Sequence, residues 1–344
     1  GLPRWSALMD QMERRALLLV AWWAAASGAL EGATPVQFTS TYTYDSSGGA
    51  KYGLFDNGAT VRPIAGFEPE GTSVGLPVFV YVMGTGDFFG NPADLEIVWA
   101  MTARGFIAAI VDYPNPPSEL DSIYSFRAFG WKAGKIIPPA LDVLCARERA
   151  DCSQGVAIAG CSQGGFITCG SVYADTRVTA ILPMCIATEP NPLDDVSWLG
   201  ENEMGKRLDQ TKRRYLVGGK DNLMDSKPSQ LAYMTGYPCR SSDCIQPGGS
   251  GGVIIPGGAH AFAINCDPAV RLFATGIALK CSWRDGDANW AMRSSLDWLA
   301  NTSSPAKAML PSSVRFRRSC SPLPSYDQPM SADLSLFTDL SICA

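Results

Sequence analysis

Residues 156–166 read Val156-Ala157-Ile158-Ala159-Gly160-Cys161-Ser162-Gln163-Gly164-Gly165-Phe166. Four apolar residues run into G-x-S-x-G, and a helical stretch follows from Gly164 to Ala174. A short continuous apolar run suits a strand buried on both faces. The two outer glycines suit a sharp strand-to-helix turn that lifts the serine hydroxyl off the sheet edge. Only small residues there let strand and helix approach closely enough. The positive N-terminal end of the helix would also lie under negative charge developing beside the serine. Ser162 is therefore the candidate nucleophile. An ordinary glycine-rich turn is the competing reading, and the strand-turn-helix context weighs against it.

A serine hydroxyl is a poor nucleophile at neutral pH and needs a base. His260 is the single histidine of the chain. It stands in Pro256-Gly257-Gly258-Ala259-His260, directly after the last strand-like run, where a loop carries an imidazole over the strand ends. A lone histidine is ordinarily structural, and here order and position outweigh that. The third member should be an acid after the penultimate strand, to hold the imidazole tautomer. Arg214-Tyr215-Leu216-Val217-Gly218-Gly219-Lys220-Asp221 supplies strand, glycine turn and Asp221, with Asp225 as the rival. With one histidine as base, activity is expected to fall on the acid side through a single ionisation.

Charge developing on a substrate oxygen calls for two backbone N–H donors. Gln163, following the nucleophile, offers one. The turn Met83-Gly84-Thr85-Gly86-Asp87 offers the other, from Gly84 or Thr85. Phe88 and Phe89 come next and either wall a substrate pocket or pack the core.

Outward from this centre, apolar runs alternate with helical stretches. Pro77 to Val82, Phe106 to Val111, Val178 to Met184, Arg214 to Val217 and Val253 to Ile255 read as strands. Val36 to Tyr44 and Thr60 to Ile64 are earlier strand candidates. Pro92 to Ala103 reads as a helix with proline in its first turn, and Ser125 to Cys145 as a helix interrupted near Pro138. Such alternation predicts an α/β architecture, a mainly parallel central sheet with helices on both faces, whose chemistry sits at the carboxyl ends of the strands. Between Ile186 and Lys212 no strand signal occurs, which suits a small lid or a long connection. Gly236 to Gly252 reads as a loop, and the chain beyond Ala300 is Ser/Pro-rich.

The 344 residues carry 46% hydrophobic and 18% charged residues with a net charge of −5, as a globular chain with a sizeable core does. Lys and Arg are scattered, so no nucleic-acid footprint is expected. Eleven cysteines are many for a reducing compartment. No zinc-type spacing accompanies them, so no metal is expected and disulfides are the better reading. Cys145 with Cys152, and Cys239 with Cys244, flank short turns and look like local pairs. Cys266 with Cys281, and a bridge from Cys320 or Cys343, are further possibilities, and the odd total leaves a thiol over. From Met12, Arg14 and Arg15 precede an apolar run from Ala16 to Ala26 and then Ser27-Gly28-Ala29. This order suits a signal peptide, with an N-terminal anchor or a buried helix as the alternative. Asn301-Thr302-Ser303 is a glycosylation sequon. Neither a G-x-G-x-x-G after the first strand nor a P-loop occurs, so no cofactor is implied.

Gly160 to Gly164, Asp221 and His260, in that order, resemble the α/β-hydrolase superfamily over roughly Val78 to Leu299. The Gly-Cys-Ser-Gln-Gly core is similar to the elbow of cutinases, and the wider pattern to secreted esterases and dienelactone-hydrolase-like enzymes. The resemblance implies hydrolysis of small or polymeric carboxylic esters through an acyl-enzyme. With the residue readings above, the chain divides into an expected signal peptide over 1–29, an α/β-hydrolase domain over 36–300 and a Ser/Pro-rich tail over 301–344, in a protein expected to be secreted without a membrane anchor once the leader is removed. Two departures stand out. Many members carry His-Gly where this chain has Met83-Gly84, and cutinases space their acid and histidine more closely. Dienelactone hydrolases place a cysteine nucleophile at the position of Ser162, whereas Cys161 here reads as a small residue packed under the turn. The same machinery also serves acyltransferases and peptidases. A binding protein on an inactive scaffold, or a cysteine-based redox protein, would be readings of another class.

Overall fold

The computed structural model describes residues 35–45, 59–84, 89–113, 137–186, 197–221, 227–239, 243–255, 258, 260 and 292–303. Eight strands form one sheet: β1 (Val36–Asp45), β2 (Ala59–Glu68), β3 (Val78–Val82), β4 (Ile107–Val111), β5 (Val156–Cys161), β6 (Val178–Met184), β7 (Arg214–Gly218) and β8 (Gly251–Ile255). Their order across the sheet is β1-β2-β4-β3-β5-β6-β7-β8. β1 pairs antiparallel with β2, and β2 with β4, while every later pairing is parallel.

The apolar runs explain the middle of the sheet. Every residue of β3, β4 and β5 is buried, as a parallel strand covered on both faces requires. The covering helices are α1 (Pro92–Thr102), α2 (Ile137–Cys145), α3 (Gln163–Ala174), α4 (Glu201–Met204), α5 (Pro228–Thr235) and α6 (Met292–Ser303). α1 packs against α6 and α2 against α3, while α3 and α6 both lie on β5 and β6. β1, on the sheet edge, alternates instead: Phe38 and Tyr42 are buried between the exposed Val36, Thr39, Thr41 and Thr43.

Chain order reverses at β3. β4 lies on one side of it and β5 on the other, so the loops leaving β3 and β5 diverge over a crevice at their carboxyl ends. The crevice is where the quoted turn emerges.

Several boundaries differ from the sequence expectation. Pro138 and Pro139 stand in the first turn of α2, where missing amide donors cost nothing, and they do not interrupt the described helix. The part expected from 125 to 136 lies outside the described residues. Gly251 and Gly252, read as loop, begin β8. A side chain on Gly251, where φ is 104°, would run into the Cys244 carbonyl, so glycine is what the first position of this strand demands. Between β6 and β7 the described residues 197–212 hold short helical turns and no strand. Arg213, almost fully buried, pairs there with Glu201 and fastens α4 to the start of β7.

Two disulfides close the expected local loops, Cys145–Cys152 and Cys239–Cys244, with Cα atoms 5.7 and 4.7 Å apart. Cys161, Cys169 and Cys185 are buried and lie outside these two disulfides. Cys266, Cys281, Cys320 and Cys343 lie outside the described residues. No described helix is long and apolar enough to cross a membrane.

Candidate active site

At the end of β5 the backbone turns sharply. Ser162 has φ 56° and ψ −122°, a region that side chains other than glycine rarely adopt. Its amide donates to the Met184 carbonyl at the end of β6 (2.9 Å), and its carbonyl accepts from Phe166 in the first turn of α3 (3.2 Å). Close packing makes this turn possible. A Cβ on Gly160 would overlap the Gly164 and Val82 carbonyls, and one on Gly164 the carbonyls of Val82 and Met83. A Cβ on Gly165 would meet Ile186 and the Met184 carbonyl. The third glycine is thus as necessary as the two of the motif. Cys161 is wholly buried beneath the turn, the packing role expected of it.

Ser162 Oγ lies 2.8 Å from His260 Nε2, and His260 Nδ1 lies 2.8 Å from Asp221 Oδ2. The Asp221 side chain is inaccessible to solvent, whereas the imidazole keeps a partly open edge. A carboxylate oxygen accepts hydrogen bonds, so a proton on His260 Nδ1 is donated in a hydrogen bond to Asp221 Oδ2, which leaves the Nε2 lone pair facing the serine hydroxyl. That arrangement is one in which an imidazole can accept the serine proton.

The two loops that carry these side chains are bound to each other. After β7, Gly219 donates to the Ile255 carbonyl (2.9 Å) and Lys220 to the Gly258 carbonyl (2.7 Å). Asp221 donates to Gly218 (3.3 Å) and Gly258 to Ile255 (3.0 Å), which closes each turn on its own strand. Carboxylate and imidazole are therefore placed by main-chain bonds between neighbouring strand ends.

This is an α/β-hydrolase fold. The strand order, the parallel core and the strained serine at the β5–α3 turn decide it.

No family model matches the chain, and no curated protein matches it. Solved structures that it resembles include a cold-adapted esterase from an Arctic intertidal metagenomic library in a PEG-bound complex. That match has 16% identity, covers 77% of this chain and 94% of that one, and has a TM-score of 0.49. A dienelactone hydrolase-like promiscuous phosphotriesterase from metagenomic libraries matches at 17% identity, 77% and 98% coverage and a TM-score of 0.47. A fungal esterase from Rhizomucor miehei matches at 13% identity, 83% and 89% coverage and a TM-score of 0.44.

Among the other expected site residues, Gln163 opens α3 and is buried, and Gly84 is buried just past β3. Thr85, Phe88 and the rival acid Asp225 lie outside the described residues. Phe89 is half-buried at the turn before α1. Tyr113, which the sequence reading did not single out, joins the site from the end of β4. Its hydroxyl lies 2.8 Å from the Met83 carbonyl and 2.9 Å from Gln163 Oε1. Nothing in the spacing of Asp112-Tyr113-Pro114 signals this, because the partners are 30 and 50 positions away. Among the described residues no group of His, Cys, Asp and Glu is gathered as metal ligands.

Proposed function

We propose that this chain is a secreted serine hydrolase that cleaves carboxylic esters through an acyl-enzyme. The supporting observation is the continuous chain Ser162 Oγ, His260 Nε2, His260 Nδ1 and Asp221 Oδ2, with both links at 2.8 Å. Ser162 Oγ bonds to the ester carbonyl carbon while its proton passes to His260 Nε2. As the tetrahedral intermediate collapses, the alkoxide leaves with that proton. Water then repeats the sequence on the acyl-enzyme, returns a proton through His260 and frees the acid. Asp221 stays ionised throughout and stabilises the imidazolium. The backbone N–H groups of Gln163 and of Gly84 or Thr85 are assigned to the substrate oxygen, and Phe88 and Phe89 to the pocket wall. Two disulfides favour an oxidising compartment and so export.

The test is labelling with a fluorophosphonate probe, followed by peptide mapping and assay on a p-nitrophenyl ester series. Labelling at Ser162 that disappears in His260→Ala, with ester turnover, is the expected result. A folded, disulfide-intact protein that neither labels nor turns over any ester overturns the reading.

A further inference from the structure

We propose that Tyr113 is a positioning residue that fixes the oxyanion-binding backbone by tying the turn after β3 to the first residue of α3. The proposal rests on the hydrolase reading above and adds to it a residue outside the triad.

Tyr113 is 1% exposed and follows β4 by two residues. Its approach is fixed on both sides: Asp112 donates its amide to the Pro63 carbonyl (3.1 Å), and Tyr42 Oη donates to the Asp112 carbonyl (2.6 Å). The hydroxyl therefore projects from a backbone held by β1 and β2. It reaches two groups, the Met83 carbonyl oxygen and the Gln163 side-chain amide, at 2.8 and 2.9 Å. A phenol carries one proton and also accepts, and an amide end offers either a donor or an acceptor. Both groups accept, the Met83 carbonyl at 2.8 Å and Gln163 Oε1 at 2.9 Å, so the two share the single phenolic proton.

What this bond controls follows from peptide planarity. The Met83 carbonyl and the Gly84 amide belong to one rigid trans unit and point in opposite directions. Anchoring the carbonyl on Tyr113 sets the tilt of the Gly84 N–H. The second assigned donor is the backbone N–H of Gln163, whose side chain the same hydroxyl holds. One buried hydroxyl thus couples both sides of the oxyanion-binding site, across the β3–β5 crevice. Polar groups buried this deeply gain orientation from their hydrogen bonds, and such donors act only when aimed before charge develops.

Tyr113→Phe removes the hydroxyl and keeps the ring. The expected result is a kcat lowered on the order of 10- to 100-fold, less than loss of a donor outright, with KM changed by about twofold or less. The affinity for a trifluoromethyl ketone, which forms the tetrahedral adduct, should fall by the same factor as kcat. A merely structural role would lower the melting temperature and leave the split between kcat and KM untouched. Should Tyr113→Phe not fold, Gln163→Met removes the other end of the bridge, and the same split is expected at smaller size. Wild-type kcat and ketone affinity in a folded variant overturn the positioning role alone. Absence of turnover and of Ser162 labelling in the wild type overturns the hydrolase reading, and the role with it.

Discussion

The carbonyl oxygen of Val82 occupies the position that a Cβ on Gly164 would need. The end of β3 and the first turn of α3 are thus in backbone contact directly behind the serine. Gly164→Ala must push them apart. The expected effect is a loss of about 3 kcal/mol in stability, or a folded protein whose Ser162 no longer labels, because the displaced turn takes the hydroxyl away from His260. Gly248→Ala, where an added Cβ meets nothing within 4 Å, is the control and should stay within about 0.5 kcal/mol of wild type. Thermal unfolding and probe labelling read both variants. Equal behaviour of the two would mean that the turn tolerates a side chain and the packing argument is wrong.

Asp221 is isosteric with asparagine, so Asp221→Asn keeps the packing of a buried side chain while removing its charge and changing its hydrogen bonding. An amide nitrogen facing Nδ1 donates, which forces the ring proton onto Nε2 and removes the lone pair from Ser162. The expected loss in kcat is on the order of 10⁴-fold, with KM nearly unchanged. The kcat/KM of the wild type should fall with acid through one ionisation, since His260 is the only histidine and a protonated imidazole cannot accept the serine proton. Steady-state kinetics on one p-nitrophenyl ester across pH, for both proteins, checks this. A slope on the acid side steeper than one proton would require a second titrating group in the mechanism.

The sheet and the hydrogen-bonded arrangement of Ser162, His260 and Asp221 were legible in the sequence because each leaves a local or ordered mark. Buried parallel strands produce uninterrupted apolar runs, and Val78–Val82 and Ile107–Val111 are such runs. The turn writes its glycines next to the serine, and the acid and base follow in strand order. α6 leaves a weaker mark, with the buried Met292, Leu296 and Leu299 at helical spacing. It is Met-Arg-Ser-Ser-Leu-Asp-Trp-Leu-Ala-Asn-Thr-Ser, and two of its buried positions, Ser295 and Ser303, are polar. Its burial comes from lying on β5 and β6, which a single sequence does not display. Tyr113 was illegible for the same reason: its role is a contact between strand ends far apart in the chain.

The described cysteines divide into two chemical classes, and reagents should distinguish them. Cys145–Cys152 and Cys239–Cys244 span sequence separations of 7 and 5, so on loop-closure entropy each contributes about 2 kcal/mol. Reduction should lower the melting temperature, and Cys145→Ala with Cys152→Ala should reproduce part of the fall. Cys161, Cys169 and Cys185 are buried, so they should react with a thiol reagent only once the protein is unfolded. Rapid reaction of these three in the folded, active protein would show that the region beneath the serine opens readily.

Alkaline stability should depend on the buried cluster behind β7. Burial pushes the Tyr215 hydroxyl and the Cys169 thiol up from their ordinary values of 10.0 and 9.0, and the nearby Arg213 guanidinium offsets this only in part. The unfolded chain therefore releases these protons at a pH where the folded one retains them. Bound protons are then fewer in the unfolded state, and stability decreases as pH rises. The contribution is whole below about pH 9 and is lost progressively above it, at up to about 1.4 kcal/mol per pH unit for each group. Urea midpoints measured between pH 8 and 10.5 should show this decline. Tyr215→Phe removes a buried hydroxyl that has no hydrogen-bond partner among the described residues, so it should start no lower than the wild type and then fall less steeply. If wild type and variant decline in parallel, Tyr215 does not hold its proton in the folded state, and the alkaline loss has another source.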